Sequence, residues 1–224
     1  MVQYPRLGRA EREFKSRQPH MKVKSLSRRV ERNDGRLTKV YDSTLPALIL
    51  DLSRAILSVI ALKPRVDFIS VKKRITNELL ARRKIKGMKL STIIEYSDNF
   101  LVEKAINGIG AGKFLKTARN EKIPYEIGRF IGRLHKKNMA LIDNRPQNYI
   151  INKNKIFRVD LEMFKLRAHE FDKMCDLVSF VEYFDDKVVR SAFMKGHDDF
   201  CKCSYRSYVG FLSKIFLKTV DYLE

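Results

Sequence analysis

Three side chains in the second half of the chain have the types and spacing that phosphoryl transfer uses: Asp143, Asn148 five residues on, and Asp160. Moving a phosphoryl group to a hydroxyl calls for a carboxylate that orients the attacking hydroxyl and accepts its proton. It also calls for an amide oxygen on one Mg2+ and a second carboxylate that bridges Mg2+ to the phosphates. Asp143 suits the first role; Asn148 and Asp160 suit the metal. Asp-x-x-x-x-Asn occurs by chance in many chains, so its weight comes from its surroundings.

Those surroundings are a helix predicted over 124–138, an irregular loop, a strand pair at 149–151 and 156–159 around Asn152-Lys153-Asn154-Lys155, and Asp160 at the end of the second strand. Upstream, Asn33-Asp34-Gly35 separates two alternating runs that begin near Lys22, which predicts a hairpin. Residues 44–62 carry apolar positions at helical spacing with Pro46 in the first turn, and a second helix is predicted over 66–86 with Ile69, Ile75, Leu79 and Leu80 on its apolar side. Gly87 stops that helix. Strands are predicted at 90–96 and 100–106, and the run Asn107-Gly108-Ile109-Gly110-Ala111-Gly112 breaks regular structure through glycine flexibility. Beyond it, helices are predicted over 113–119, 170–185 and 187–223. The expected organisation is a basic N-terminal arm at 1–20, an N-lobe with an inserted helix at 21–106, and a helical C-lobe with the loop of Asp143 at 107–224.

With 46 Lys+Arg against 26 Asp+Glu the net charge is +20, which attracts polyanions such as nucleic acid, acidic phospholipid or nucleotide phosphates. The 44% hydrophobic content is too high for a disordered basic tail. No apolar run approaches the roughly 18 residues of a membrane span, and no apolar stretch follows the first basic residues as a secretory signal requires. Lys72-Lys73-Arg74 and Arg82-Arg83-Lys84 are expected to be solvated helix faces, with nucleic-acid or membrane-surface contact as alternatives. Cys175, Cys201 and Cys203 cannot form an even disulfide set and are expected as free thiols. A cytoplasmic location follows, with the inner membrane surface as a peripheral alternative.

Asp143-Asn144-Arg145-Pro146-Gln147-Asn148 and Asp160-Leu161-Glu162 resemble the catalytic loop and metal motif of atypical kinase-like phosphotransferases: the RIO kinases, the kinase subunit of the KEOPS tRNA-modification complex, and the Kdo and heptose kinases of lipopolysaccharide. The likeness covers residues 22–185. It implies an α+β, two-lobed protein-kinase-like fold with a reduced N-lobe and a mainly helical C-lobe. It also implies ATP and Mg2+ as cofactors and a hydroxyl-bearing acceptor, either a protein Ser/Thr or a small or lipid-linked molecule. Lys39 then stands where the phosphate-gripping lysine does; Lys63 competes, although helical spacing precedes it and Pro64 follows. Glu78 is the acid that pairs with that lysine. Residues 101–105 resemble the hinge, which makes Glu103 and Ala105 nucleotide contacts through their backbone. His135 and Asp176 resemble structural supports of the loop, and Arg145 is open between substrate phosphate and a salt bridge. The chain departs from the pattern at Leu141 and Ile142, at Glu162 in place of glycine, and in having no glycine-rich phosphate loop. Those departures keep a second class open: a pseudokinase or partner subunit that binds RNA or an acidic protein through its basic surface.

Overall fold

The computed structural model describes residues 22–25, 28–41, 70–118 and 120–202. Three antiparallel strands open it: β1 (Lys22–Ser25), β2 (Arg28–Asn33) and β3 (Arg36–Tyr41). The turn from β2 to β3 is the expected one. Asp34 and Gly35 have φ of 45° and 74°, the left-handed pair that lets a two-residue hairpin follow the right-handed twist of its strands. The basic run before it is two strands, with Ser25 opposite Arg28. The predicted helix at 44–62 and the rival Lys63 lie outside the described residues.

Helix α1 (Val71–Lys84) starts at Ser70, whose hydroxyl accepts from the Lys73 N–H, satisfying one of the helix's orphan donors. Its buried residues are Ile75, Asn77, Glu78 and Ala81. Of the apolar side expected here, Leu79 and Leu80 are only half-buried, so polar contacts define much of its inward face.

Residues 90–96, expected as one strand, divide between two sheets. Strand β4 (Lys89–Leu90) pairs in parallel with β9 (Lys155–Arg158), whereas β5 (Ile93–Tyr96) pairs antiparallel with β6 (Phe100–Lys104). The first sheet runs β1-β2-β3-β6-β5. The second, β4-β9-β8-β7, is completed by β7 (Ile109–Gly110), β8 (Tyr149–Asn152) and β9 (Lys155–Arg158). The glycine run is therefore ordered: Ile109 and Gly110 pair with Ile151 and Ile150. A Cβ on Gly108 would overlap the Ile151 carbonyl, so close approach, rather than flexibility, requires that glycine.

The remainder is helical: α2 (Ala111–Thr117), α3 (Lys122–Lys136), α4 (Glu170–Val181) and α5 (Lys187–Asp198). Ile123, Ile127, Phe130, Ile131 and Leu134 form the stripe of α3 and pack in one core with Leu177, Phe180, Val189 and Phe193. The Phe180 and Phe193 rings stack at 4.1 Å. Helices α3 and α5 meet backbone to backbone, because a Cβ at Gly128 or Gly196 would overlap the carbonyl of Phe193 or Tyr125. Helix α5 stops at Asp198, short of the predicted end, and 203–224 lie outside the described residues. Cys175 is a buried free thiol as expected, but Cys201 is disulfide-bonded, which corrects the expectation of three free thiols. Among the described residues no helix is long and apolar enough to cross a membrane. The fold is α+β, with a small N-terminal sheet region and a mainly helical C-terminal part.

Gly128→Ala is expected to force α3 and α5 apart and to lower stability by about 1–3 kcal/mol, measured as the midpoint shift in urea unfolding with circular dichroism showing retained helix.

Candidate active site

The loop that carries Asp143 is held from below. Beyond α3, Asn138 takes a left-handed φ of 52°, as residues leaving a helix often do. Ile142 also has a positive φ, 65°. For a β-branched residue this is a strained backbone, costing on the order of 1–3 kcal/mol. The surroundings enforce it. Asp176, fully buried on α4, accepts from the Leu141 N–H at 2.8 Å through Oδ2, and its carbonyl accepts from Asn144 Nδ2 at 2.9 Å. Tyr149 donates to the Asn144 amide oxygen. His135 Nε2 lies 3.1 Å from the same Asp176 oxygen, and its Nδ1 lies 3.0 Å from His197 Nε2. Burial, with His135 beside it, pushes His197 down to about 4, so at neutral pH it is uncharged. Asp176 accepts from His135 Nε2–H, and His197 Nδ1 lies 3.3 Å from Asp198 Oδ1 on the far side of the pair. His135 and Asp176 thus brace the loop.

A residue that the sequence reading passed over closes the loop from the other side. Arg158, at the end of β9 and wholly buried, donates through Nη2 to the Asp143 carbonyl at 2.7 Å and through Nη1 to the Asn148 carbonyl at 2.9 Å. Its guanidinium lies 4.9 Å from the centre of the Tyr149 ring. The available signal was a lone arginine in the apolar hairpin strand two residues before Asp160. The Val159 N–H also donates to the Asn148 carbonyl, at 2.9 Å. Asn148 Nδ2 in turn donates to the Asp143 carbonyl at 3.1 Å and to its Oδ2 at 3.2 Å. Asp143 makes a bidentate pair with Arg145, both contacts at 2.6 Å, so the geometry chosen for Arg145 is the salt bridge.

On the N-terminal side, β3 and β6 deliver Lys39 and Glu103 to α1. Lys39 Nζ lies 2.8 Å from Glu78 Oε1 and 2.6 Å from Glu103 Oε1, with all three side chains almost completely buried. The Glu78 contact has hydrogen-bond geometry; the Glu103 contact is an ion pair off that direction. Arg82 pairs with Glu78 one turn earlier on α1 and with Glu103 at 2.5 Å, and Ser91 donates to Glu103. Two cations and two carboxylates therefore balance inside the protein. Burial alone would lower the Lys39 pKa, but Glu78, Glu103 and Asp160 outweigh it and hold the ammonium well above its ordinary value. Burial likewise opposes ionisation of Glu78, and Lys39 and Arg82 overcome it, holding the carboxyl below its ordinary value.

Glu78 also reaches the Asp160-Leu161-Glu162 segment. Its Oε1 accepts from the Leu161 N–H at 3.1 Å, and Asn77 Nδ2 donates to the Glu162 carbonyl at 2.8 Å. Asp160 itself sits at φ 60° between these bonds and Arg158. Lys39 and Glu78 are thus tied to the Leu161 N–H, and Asp143 and Asn148 to Arg158 and the Val159 N–H, so the two sets meet at the stretch of chain that carries Asp160. Three expectations are revised. Glu103 contributes its carboxylate to Lys39 and Arg82, while its backbone belongs to an interior strand between β3 and β5. The Ala105 N–H is taken by the Gly35 carbonyl at 2.7 Å, so an adenine edge could address only the carbonyl of that residue. Arg82, read as part of a solvated face, is an internal cation.

The fold has counterparts among solved structures. Aminoglycoside phosphotransferase APH(2'')-Ib with ADP bound superposes with a TM-score of 0.56 at 12% identity, over 93% of this chain and 86% of that one. APH(2'')-IIa in its ternary complex with streptomycin and ATP gives 0.54 at 13% identity, over 93% and 88%. A choline/ethanolamine kinase family protein from Mesorhizobium loti gives 0.56 at 11% identity, over 91% and 76%. The chain has the protein-kinase-like fold that its sequence motifs resemble. No protein-family model and no curated protein sequence matches it.

Glu103→Ala leaves Lys39 and Arg82 sharing one carboxylate and is expected to cost about 3–5 kcal/mol in denaturant unfolding, whereas Glu95→Ala on the exposed face of β5 stays within about 0.5 kcal/mol. Because the folded Glu78 pKa is depressed, its contribution to stability is complete above its unfolded value and disappears as pH falls through the folded one. Unfolding midpoints measured from neutral to acid pH should therefore fall less steeply for Glu78→Gln than for the parent chain.

Proposed function

We propose that the chain is an ATP- and Mg2+-dependent phosphotransferase that phosphorylates a hydroxyl of a small-molecule acceptor. The observation that carries this reading is the continuous frame from Lys39 through Glu78 to the backbone of Leu161, beside Asp160, and from Arg158 through Asn148 to Asp143. A buried ammonium, two hard oxygen donors and a carboxylate base are what this chemistry needs in one place.

The donor set fits the ion. Asn148 turns its Nδ2 to Asp143, which leaves Oδ1 on the opposite edge of the amide, and Asp160 supplies a carboxylate. Mg2+ is commonly held by one or two carboxylates plus phosphate oxygens rather than by a protein cage. Among the described residues no group of three or more His, Cys, Asp or Glu is arranged to hold a metal ion; Asn148 and Asp160 are the residues that would hold Mg2+, which would supply charge neutralisation at the phosphates when bound. Lys39 presents its ammonium to the nucleotide phosphates, and Glu78 and Glu103 fix where it points. Asp143 accepts the proton of the acceptor hydroxyl. Arg145 occupies both Asp143 oxygens in this structure, so an incoming hydroxyl takes one of them from the guanidinium; with its side chain 43% exposed, Arg145 has solvent to move into.

A small acceptor is preferred over a peptide because the connection from Asp160 to α4, which begins at Glu170, has little length for a peptide-docking segment. The similar solved structures include a complex with streptomycin and a choline/ethanolamine kinase family member. Both names carry a small molecule rather than a protein.

At a hundred times Kd, Mg2+ with ATP is expected to stabilise the parent chain by about 2.7 kcal/mol, or roughly 5–10 °C in Tm for a domain of this size. Asp160→Ala should lose that shift, while Asp143→Asn should keep the shift and lose turnover in an ADP-release assay. Undiminished turnover in both variants would rule the reading out.

A further inference from the structure

Behind α1, away from the frame of Lys39 and Asp160, lies a cavity of about 190 Å3 formed where the C-terminal end of α1 faces the C-terminal end of α3. Lys84, Lys86, Arg133 and Lys137 line it, over an apolar floor of Leu134 and Met139. No carboxylate is among the lining residues, and among the described residues none of these four cations has a carboxylate partner. This contrasts with Lys39, Arg82, Lys165 and Lys173, each paired with an acid.

The cavity is built rather than incidental. Arg133 is held by its guanidinium lying 5.2 Å from the centre of the Phe200 ring, and its Nε is buried with no hydrogen-bond acceptor. Gly87, at φ 80°, takes a backbone conformation that favours glycine and brings the chain to ordinary contact distance of the Arg133 guanidinium. Basic residues at helix C-termini have an ordinary explanation, since each terminus carries about half a negative charge. Two termini offset only about one of the four positive charges, leaving an excess of about three. An arginine with an orphaned N–H and three lysines lining one small space can supply the donors for a tetrahedral oxyanion. The volume lies below the roughly 300–1,000 Å3 of whole-ligand pockets, so it suits one phosphoryl group and not a nucleotide.

We propose that this cavity is a second, non-catalytic binding site for a phosphoryl group, presented either as free phosphate or as the terminal phosphate of a small molecule. The occupant bridges the end of the helix that carries Glu78 and the end of the helix that leads into the loop of Asp143. Its binding stands independently of the phosphotransfer reading, because none of its residues belongs to that frame.

The test is calorimetric titration of the full chain with inorganic phosphate and, separately, with glycerol 3-phosphate, for the parent, Arg133→Gln, Lys137→Gln and the remote control Lys155→Gln on β9. The expected result is one saturable site that weakens about tenfold or more in Arg133→Gln and in Lys137→Gln and is unchanged in Lys155→Gln. Lys137 is exposed, so its variant tests the site even if Arg133→Gln unfolds. Tighter binding of glycerol 3-phosphate assigns the small-molecule source, and binding of inorganic phosphate alone assigns the free ion; either upholds the site. Absence of saturable binding, or an equal loss in Lys155→Gln that reports only the diffuse positive field, overturns it.

Discussion

The carboxylate of Glu78 is the constraint on which the rest of the site depends. It is completely buried, and a buried charge is tolerated only when partners replace the water it has lost. Its partners come from three parts of the chain: Lys39 on β3, Arg82 on its own helix, and the Leu161 N–H beside Asp160. Satisfying one desolvated group therefore sets the position of α1 against the first sheet and against the segment of Asp160 together. Glu103 makes the arrangement neutral, because Lys39 and Arg82 would otherwise share a single acid. Coupling of this kind makes a lysine and an aspartate that are far apart in sequence parts of one electrostatic unit.

The loop of Asp143 uses a different physical device. Its backbone is strained at Ile142 and is held by groups that have no chemistry of their own to perform: Asp176, Asn144, Tyr149 and Arg158. Arg158 grips the carbonyls of both Asp143 and Asn148, so the proposed base and the amide that would face the metal share one scaffold. The close approach of α3 and α5 at glycine positions brings His135 against His197, and His135 carries that packing to Asp176. Helix packing and loop geometry are thereby one continuous structure, and a void or a bulge far from Asp143 would be felt there.

Much of this is legible from local pattern. The Asp-Gly hairpin, the apolar stripe of α3, the second hairpin and the spacing of Asp143, Asn148 and Asp160 all depend on neighbours within a few residues, which periodicity and turn chemistry capture. The elements that differ from expectation answer to partners distant in sequence. Residues 90–96 read as one strand but serve two sheets. Gly108 reads as flexible because the Ile151 carbonyl against it lies more than forty residues away. Glu103 reads as a backbone contact at the hinge, and Arg82 as solvated, because a strand or helix written as a line does not say what faces it.

The order of residues alone determined the chemistry on offer: a base, an amide and a carboxylate at fixed spacing, a lysine after a hairpin, a glutamate on a helix, and a large excess of positive charge. Tertiary structure alone decided which of those charges are used and against what. Lys39, Arg82, Glu78 and Glu103 become a closed set because the interior supplies no water to keep them apart. Lys84, Lys86, Arg133 and Lys137 line a cavity with no counter-charge among the described residues because two helices end side by side. Burial turns charge from a property of composition into a demand for a specific partner, and burial exists only once the chain has folded.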